Sequence, residues 1–417
     1  MKVLILNQFF HPDIAPTGQM ATELAEDLIT AGFEVTAMAA RGSYLGGDRL
    51  PAEEEHRGVR IVRLPATSLG KRTLLHRGLD YGSFYASAVL ALARLPRQDV
   101  VIALTTPPLI AAAGLVAQRL KGSKLVYWVQ DLYPEVAVAF GALGPRSPAT
   151  RLMRATSRAV LERAERVVVL GEAMGTRAAA AGAAPERVAV IPNWADGEAV
   201  RPVPHAENPL REELARGAQC LVMYSGNIGR GHDIETLAAA ARLLRERQDI
   251  AFLFQGEGAR RAELERATHD LPNVRFGPYQ PRERLSQSLS AGDLHLVSLS
   301  ANLEGLLEPS KLYGIMAAGR PALFVGPEGS EVASTVVRER CGLSLRNGDS
   351  VGLEKAIAQL ADDAGEQVEM GARARRAFEE RYERRHATRR FAQLLAEIAD
   401  PQGTGKPQPG GQVPSIS

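Results

Sequence analysis

Cysteine, lysine and long apolar runs are all scarce in this chain of 417 residues. Two cysteines, Cys220 and Cys341, are too few for a disulfide framework or a four-cysteine zinc site, so we expect a reducing, cytoplasmic setting. Only seven of the 50 basic residues are lysines, which makes the position of each lysine informative. No apolar run approaches the ~20 residues that span a bilayer. A transmembrane protein is therefore not expected, although contact with a membrane surface stays open.

Recognisable catalytic signatures are missing as well. The chain has no D-x-D, H-E-x-x-H, G-x-S-x-G or Walker A motif, and its eight histidines show no metal-ligand spacing. A hydrolase triad and metal catalysis are therefore not indicated, and we expect no cofactor. The 50 Lys and Arg residues nearly balance the 48 Asp and Glu residues, which argues against a polyanion such as nucleic acid as the partner.

The sequence does contain a regular alternation of short apolar runs and longer helical patterns. This alternation predicts an α/β protein with parallel sheets that are covered on both faces. Predicted strands of the first half are Val3–Phe10, Val35–Ala40, Val59–Leu64, Val100–Leu104, Lys124–Val129, Arg166–Leu170 and Val188–Ile191. Predicted helices there are Thr17–Ala31, Ser83–Leu95, Leu109–Lys121 and Ala149–Ala164.

The alternation stops at Trp194–Gly217, which is rich in proline and charge, and then restarts. Predicted strands of the second half are Cys220–Tyr224, Ile250–Phe254, Val274–Phe276, Leu294–Leu299 and Ala322–Val325. Predicted helices are Asp233–Arg247, Ala259–Thr268, Arg282–Ser290, Ser310–Ala318 and Ser330–Arg338. We therefore predict one domain over residues 1–198 and another over 199–379. Glu366–Leu395 is expected to be long helical structure, and 401–417, with four prolines and four glycines, a disordered tail.

Ligands of open α/β sheets bind beyond the carboxyl ends of the strands, and two such places occur in the first half. The long turn Asn7–Gly18 places Gly18 at a helix start, where a sugar or phosphate can approach backbone N–H groups; a plain connecting loop with a capping Thr17 is the alternative. Gln130 and Asp131 end a later strand and would project from the same edge. A buried amide and a helix-capping aspartate are their alternatives.

Two glycine-containing turns follow strands of the second half. Tyr224–His232 contains Gly226, Asn227, Gly229 and Arg230, a pattern suited to a diphosphate, although a tight turn with a solvated arginine has the same composition. Glu257 follows the next strand and could accept hydrogen bonds from a ribose or sugar hydroxyl. Its alternative is a helix-starting acid that suits the helix dipole.

The segment Glu304–Pro321 carries the strongest pattern. It combines two acids, Glu304 and Glu308, with a Pro-Ser helix start and one of the rare lysines in the first turn. A cation there opposes the helix dipole unless an anion binds beside it. Ser310 as a helix cap together with Lys311 therefore predicts a seat for a pyrophosphate. An ordinary capped helix with an exposed lysine is the alternative.

Taken together, these residues resemble a family 4 glycosyltransferase of the GT-B fold, in particular the bacterial subgroup that assembles O-antigen, capsule and colanic-acid polysaccharides, including fucosamine-type transferases. The resemblance covers about residues 1–400. It is carried by Asn7–Gly18, Val129–Glu135, Ile191–Trp194, Tyr224–Gly231 and above all Pro309–Pro321.

The resemblance implies two Rossmann-like domains that face a cleft, the second holding a nucleotide-sugar and the first receiving the acceptor. It also implies that helices at about 380–399 return to the first domain. By position, Gly226–Arg230 and Lys311 would face the diphosphate, Glu257 the nucleoside, and Gly18 the donor phosphate from the opposite domain. Donor-binding residues would thus be Gly18, Gly226, Asn227, Gly229, Arg230, Glu257, Glu304, Glu308, Ser310 and Lys311.

Two positions depart from the family pattern. Many members carry two glutamates seven residues apart near this helix, and alignment on Gly319–Pro321 puts Leu306 and Gly314 there. Glu304 or Glu308 would then replace the sugar-binding glutamate, while the ribose carboxylate is missing. Many members also have a histidine where this chain has Gln130. Candidate catalytic residues are therefore Gln130, Asp131, Arg230 and Lys311.

The activity implied is metal-independent transfer, with retention, of a hexosyl or N-acetylhexosaminyl group. UDP-sugars are the favoured donors, and a polyprenyl-diphosphate-linked sugar is the expected acceptor in lipopolysaccharide or capsule synthesis. The stretch Leu69–Leu79 mixes basic and apolar residues and is compatible with contact at the cytoplasmic face of the inner membrane. The alternatives are a nucleotide-dependent oxidoreductase or epimerase, and a non-catalytic assembly subunit that binds sugar nucleotides.

Overall fold

The computed structural model describes residues 1–42, 49–67 and 74–400. The predicted tail and residues 69–73 of the basic and apolar stretch lie outside these residues. The first half contains β1 (Lys2–Leu6), α1 (Pro16–Thr30), β2 (Glu34–Ala40), β3 (Glu53–His56), β4 (Val59–Leu64), α2 (Leu74–Arg94), β5 (Val100–Ala103), α3 (Ala111–Lys121), β6 (Lys124–Trp128), α4 (Glu135–Ala139), α5 (Pro148–Arg163), β7 (Arg166–Val169), α6 (Glu172–Ala180) and β8 (Val188–Val190).

The second half begins after the proline-rich break. It contains α7 (Pro209–Ala215), β9 (Cys220–Ser225), α8 (Ile234–Leu243), β10 (Ile250–Gln255), α9 (Arg261–Ala267), β11 (Val274–Gly277), α10 (Leu285–Ala291), β12 (Leu294–Ser298), α11 (Lys311–Ala317), β13 (Ala322–Val325), α12 (Glu331–Glu339), β14 (Gly342–Leu345), α13 (Ser350–Asp362), α14 (Ala364–Ala377) and α15 (Arg384–Ala399).

The strands form two separate sheets. The first has the order β3-β4-β2-β1-β5-β6-β7-β8 and is parallel except for β3, which pairs antiparallel with β4. The second, of order β11-β10-β9-β12-β13-β14, is parallel throughout. The prediction of an α/β protein with two Rossmann-like sheets is confirmed. The limit at 198–199 stays a prediction, although β8 ends and β9 begins on either side of it.

Both faces of the first sheet are covered, as its uninterrupted apolar strands require. Helices α2, α3, α5 and α6 pack on one face, while α1 and α15 pack on the other. Phe391 of α15 packs against Trp128 and Trp194, which stack on each other, with its ring centroid 4.8 and 6.4 Å from theirs. The end of the chain therefore completes the core of the first half.

Several predicted elements need correction. β1 ends at Leu6, not Phe10, and α2 begins at Leu74 rather than Ser83. The charged region 366–395 is helical, as predicted, but it is divided at Glu383, whose extended backbone separates α14 and a short π-helical turn from α15. Among the described residues, no helix combines the length and apolar character needed to cross a bilayer.

Candidate active site

Lys311 occupies the first position of α11, and its ammonium group is shielded from solvent without a hydrogen-bond partner. Its Nζ lies 3.6 Å from the centroid of the Tyr224 ring and 3.7 Å from the position that a Cβ on Gly226 would take. Burial lowers the pKa of Lys311 well below its ordinary value. A buried amine with no carboxylate beside it favours an incoming anion, because the anion would stabilise the charged form.

The glycine turns after β9 and β10 interlock beside Lys311. The amide of Ile228 donates to the carbonyl oxygen of Glu257 (2.8 Å). Gly226, Gly256 and Gly258 all have positive φ, and a Cβ on Gly256 or Gly258 would overlap a carbonyl oxygen of the neighbouring turn. Only glycine permits this approach, which explains why the turns are glycine-rich and places exposed backbone next to the lysine.

Four predicted donor-binding residues of these turns differ in how far their surroundings restrict them. Asn227 and Arg230 are exposed, and Arg230 has no carboxylate within ion-pairing distance among the described residues. Glu257 is also exposed, but its Oε1 accepts a hydrogen bond from Arg261 (2.7 Å). A Cβ on Gly229 would lie 2.8 Å from Nδ2 of Asn227, so a side chain there would displace the Asn227 amide. Arg230 is thus the freest cation of the two turns.

Ser310 does not cap α11 as predicted. Its backbone is already helical (φ −73°, ψ −13°), and its side chain accepts no capping hydrogen bond. A capping serine needs an extended backbone for its oxygen to reach the following amides, so this geometry removes the cap. Ser310 still lies directly before Lys311, at the start of the helix.

His232 is a neighbour of Lys311 that the sequence motifs did not single out. Its Nδ1 lies 2.7 Å from the carbonyl oxygen of Ser298, so Nδ1 carries the proton and donates it. Burial, followed by the charge of Lys311, lowers the pKa of His232 to about 3. The imidazole is therefore neutral and adds no charge that would compete with Lys311. The only sequence feature that indicated a role for His232 is its position directly after Gly231.

The acids Glu304 and Glu308 lie together, but next to Glu331 rather than in contact with Lys311. Glu308 Oε1 accepts a hydrogen bond from the Glu331 amide (3.3 Å), while its Oε2 is buried without a partner. Burial, reinforced by the charges of Glu331 and Glu304, raises the pKa of Glu308 to about 7. Glu308 therefore offers an unused, buried oxygen that suits a ligand hydroxyl.

Asp131 meets the second half at a contact that we call the seam, formed by residues 131–132 and 305–308. Asp131 pairs with Leu307 in an isolated antiparallel bridge, and the Leu132 amide donates to the carbonyl oxygen of Leu306 (2.8 Å). Burial raises the pKa of Asp131 to about 6. The seam brings the predicted acceptor-side aspartate close in space to the loop that carries Glu304 and Glu308.

Two other first-half residues have structural contacts of their own. The amide of Gln130 donates to Oδ1 of Asn193 (3.1 Å), and both side chains are buried. Gly18 lies in the first turn of α1, where a Cβ would stand 3.1 Å from the carbonyl carbon of Phe9. Glycine avoids this tight contact, and its approach to a phosphate stays a prediction. The described residues contain no group of three or more His, Cys, Asp or Glu placed to hold a metal ion.

Comparison with known proteins assigns both halves to one kind of enzyme. Residues 17–194 match the glycosyl transferase 4-like domain, and residues 219–363 match glycosyl transferases group 1. A probable glycosyltransferase, WbjE of Pseudomonas aeruginosa, is 31% identical over 296 residues, 70% of this chain and 74% of WbjE.

Two more comparisons agree with this assignment. The putative colanic acid biosynthesis glycosyl transferase WcaI of Escherichia coli is 28% identical over 347 residues, 80% of this chain and 85% of WcaI. The crystal structure of Anabaena HepE with UDP and glucose has the same fold, with a TM-score of 0.72 and 17% identity over 95% of this chain and all of HepE. The chain therefore belongs to the family 4 glycosyltransferases with the GT-B fold.

Proposed function

We propose that this glycosyltransferase moves a hexosyl or N-acetylhexosaminyl group from a UDP-sugar to a lipid-linked glycan during synthesis of a bacterial cell-surface polysaccharide, with retention of configuration. The buried, unpartnered ammonium of Lys311 is the observation that carries this proposal. WcaI is named for colanic acid biosynthesis and HepE binds UDP, which supports the class of product and of donor.

Lys311 and Arg230 act on the leaving group. As the bond between the sugar and the nucleoside diphosphate breaks, negative charge grows on the diphosphate. A preorganised cation stabilises that charge most in a site shielded from water, and Lys311 is so shielded. Arg230, exposed at the adjacent turn, adds a second cation, and the backbone of Gly226, Asn227 and Gly229 lies beside them. If Lys311, Arg230 and these backbone groups stabilise the leaving diphosphate, the transfer requires no metal ion.

Asp131 and the acids of the seam bind the sugars. The unused oxygen of Glu308 accepts a hydrogen bond from a donor-sugar hydroxyl, with Glu304 beside it, and so replaces the glutamate that many relatives have at the position of Leu306. Asp131, ionised above about pH 6, orients the acceptor hydroxyl from the first half. Gln130 holds the chain next to Asp131 in place through its hydrogen bond to Asn193. Ser310 and Glu257 complete the set of donor-binding residues.

The acceptor is a polyprenyl-diphosphate-linked sugar at the cytoplasmic face of the inner membrane. This follows from the class of product, since a cell-surface polysaccharide that is built on a lipid carrier needs transferases that reach the bilayer surface. The family assignment leaves no observation in favour of an oxidoreductase or epimerase. A non-catalytic subunit would bind nucleotide-sugars as the proposed enzyme does, but it would transfer no sugar.

A thermal-shift series of nucleosides, nucleotides and nucleotide-sugars tests the proposal. UDP-sugars and UDP should raise the melting temperature, because ligands that bind the folded state stabilise it by mass action, whereas uridine should not. The stabilising donor is then incubated with lipid-linked acceptors in EDTA, and the product is identified by mass spectrometry. Transfer in EDTA supports the metal-free enzyme. Stabilisation by no nucleotide-sugar, or binding without transfer to any lipid-linked acceptor, contradicts the proposal.

A further inference from the structure

Three neighbouring helices cover one face of the first sheet. α3 packs between α2 and α5, and the inner sides of all three enter the same core. Phe84, Ala117 and Val160 are among the side chains buried there. The outer sides of these helices form one continuous surface, which we call the helical face.

Large apolar side chains project from the helical face. Leu79 and Leu90 of α2 are 51% and 55% exposed, Leu120 of α3 is 62% exposed, and Leu152 of α5 is 69% exposed. Between the two leucines of α2, the outward positions Gly82 and Ala86 are small, so no bulky polar side chain screens them. Single exposed leucines are ordinary on a protein surface, so the distinguishing feature of the helical face is that four of them lie on three adjacent helices.

Most charges of the helical face are positive. The three helices contain eight Lys and Arg residues but only Asp80 and Glu162 as acids. Asp80 accepts a hydrogen bond from Thr67, and Glu162 accepts one from Arg158. By contrast, five exposed arginines on these helices or next to them have no carboxylate partner among the described residues: Arg94, Arg97, Arg119, Arg151 and Arg163. The whole chain is nearly neutral, so this excess is local.

We propose that the helical face lies on an anionic lipid bilayer, with its leucines in the interfacial layer and its arginines at the lipid phosphates. Leucines spread among arginines over three helices fit a broad negative surface of this kind. The inference rests on the proposed function, because a lipid-linked acceptor gives a reason for the contact. It places that contact on the outer sides of α2, α3 and α5, and α2 includes the second half of the predicted stretch Leu69–Leu79.

The topology connects this surface to the site. α2 follows β4 and α5 lies between β6 and β7, so both helices begin at the carboxyl edge of the parallel sheet, the edge at which Asp131 lies. A chain docked through the helical face therefore holds its acceptor side near the bilayer. An acceptor head group can reach Asp131 while its lipid tail stays in the membrane.

Vesicle flotation of the full chain tests the proposal. We expect binding to phosphatidylcholine vesicles with about 30% phosphatidylglycerol and much weaker binding to phosphatidylcholine alone. The triple variant Leu90→Glu, Leu120→Glu, Leu152→Glu should lower the partition coefficient by about tenfold or more. The control triple variant Val337→Glu, Val351→Glu, Val368→Glu introduces the same charge at exposed positions of the second half and should leave the coefficient unchanged.

The outcomes separate this inference from the proposed function. Stabilisation by UDP, measured on each variant, checks that it remains folded. Retained UDP binding without flotation, equal flotation of both triple variants, or equal binding to neutral vesicles overturns the membrane face and leaves the transferase intact. Lipid-dependent flotation without binding of any nucleotide-sugar supports the face and overturns the donor site. A dimer in light scattering that only the leucine variant abolishes also overturns the membrane face.

Discussion

Two carboxyl groups near the seam are expected to titrate closer to neutrality than exposed acids do, because burial disfavours their charged forms. Asp131 has a pKa of about 6 and Glu308 of about 7. The consequences differ, since Asp131 is proposed to act ionised on the acceptor, whereas the protonation of Glu308 is followed through its effect on folding.

The transfer rate should depend on the ionisation of Asp131. Below about pH 6 the carboxyl group is protonated and cannot accept the acceptor's proton in a hydrogen bond, so the rate at subsaturating acceptor should fall about tenfold per pH unit. Asp131→Asn should lower the rate and abolish its fall below about pH 6. A variant with the wild-type pH profile would contradict the role given to Asp131. Transfer rates from about pH 5 to 8 provide the measurement.

The stability of the fold should depend on Glu308. Its folded-state pKa is raised, so the favourable contribution of the protonated form is complete below the unfolded pKa near 4.5 and disappears as the pH rises through about 7. Glu308→Gln, which stays neutral, should therefore gain up to about 3 kcal/mol relative to wild type between pH 5 and 8. Urea unfolding across this range measures it. Glu246→Gln removes an exposed carboxylate and serves as the control. If the unfolding free energies of the two variants changed with pH in the same way, the proposed effect of Glu308 on stability would be disproved.

At the scale of elements, the loop before α11 depends on a glycine. Gly305 has φ +67°, and a Cβ there would lie 2.8 Å from the carbonyl oxygen of Ala173 in the other half. Gly305→Ala should cost about 1–2 kcal/mol in backbone strain, and more from this clash. Gly348 has a similar φ of +85° but open space around it. Gly348→Ala should therefore show the cost of backbone strain without a clash. Equal unfolding free energies for both variants would rule out close packing of Gly305 against Ala173.

The docking of α15 is the second element that can be tested alone. Phe391→Ala leaves a cavity beside Trp128 and Trp194 and should destabilise the protein by about 3–5 kcal/mol. These are the only two tryptophans in the chain, so intrinsic fluorescence should change at the same time. Val368→Ala, at a side chain 71% exposed, serves as the control. An unchanged unfolding midpoint for Phe391→Ala would show that α15 is dispensable for the first half.

Elements with a strong apolar pattern were predicted well, and the misses have physical reasons. Strands β4 and β13 have the predicted bounds, because β13 is an uninterrupted buried run and β4 contains four apolar residues among its six. The edge strand β3 was missed because its four residues are three glutamates and a histidine, which carry no apolar pattern. The start of α2 was placed too late, since Gly78 and Gly82 interrupt its pattern.

The site was predictable only where it is local in sequence. Lys311 and the glycine turns were found because a rare lysine and clustered glycines stand out along the chain. The Glu308 contact with Glu331, the pair Gln130 and Asn193, and the seam join residues that are distant in sequence, so no local pattern specifies them. The Ser310 cap was wrong because residue type alone does not fix the backbone angles.

At the scale of the whole molecule, the two sheets and the returning helix α15 place the ammonium group of Lys311 beside two glycine turns. The proposed activity depends on that group. The most direct test is the rate of sugar transfer by Lys311→Ala, with Lys355→Ala, an exposed lysine of α13, as the control. Loss of a preorganised charge at the leaving diphosphate should reduce the rate by ~10²-fold or more, while the control keeps the wild-type rate. Near wild-type transfer by a folded Lys311→Ala enzyme would contradict the account.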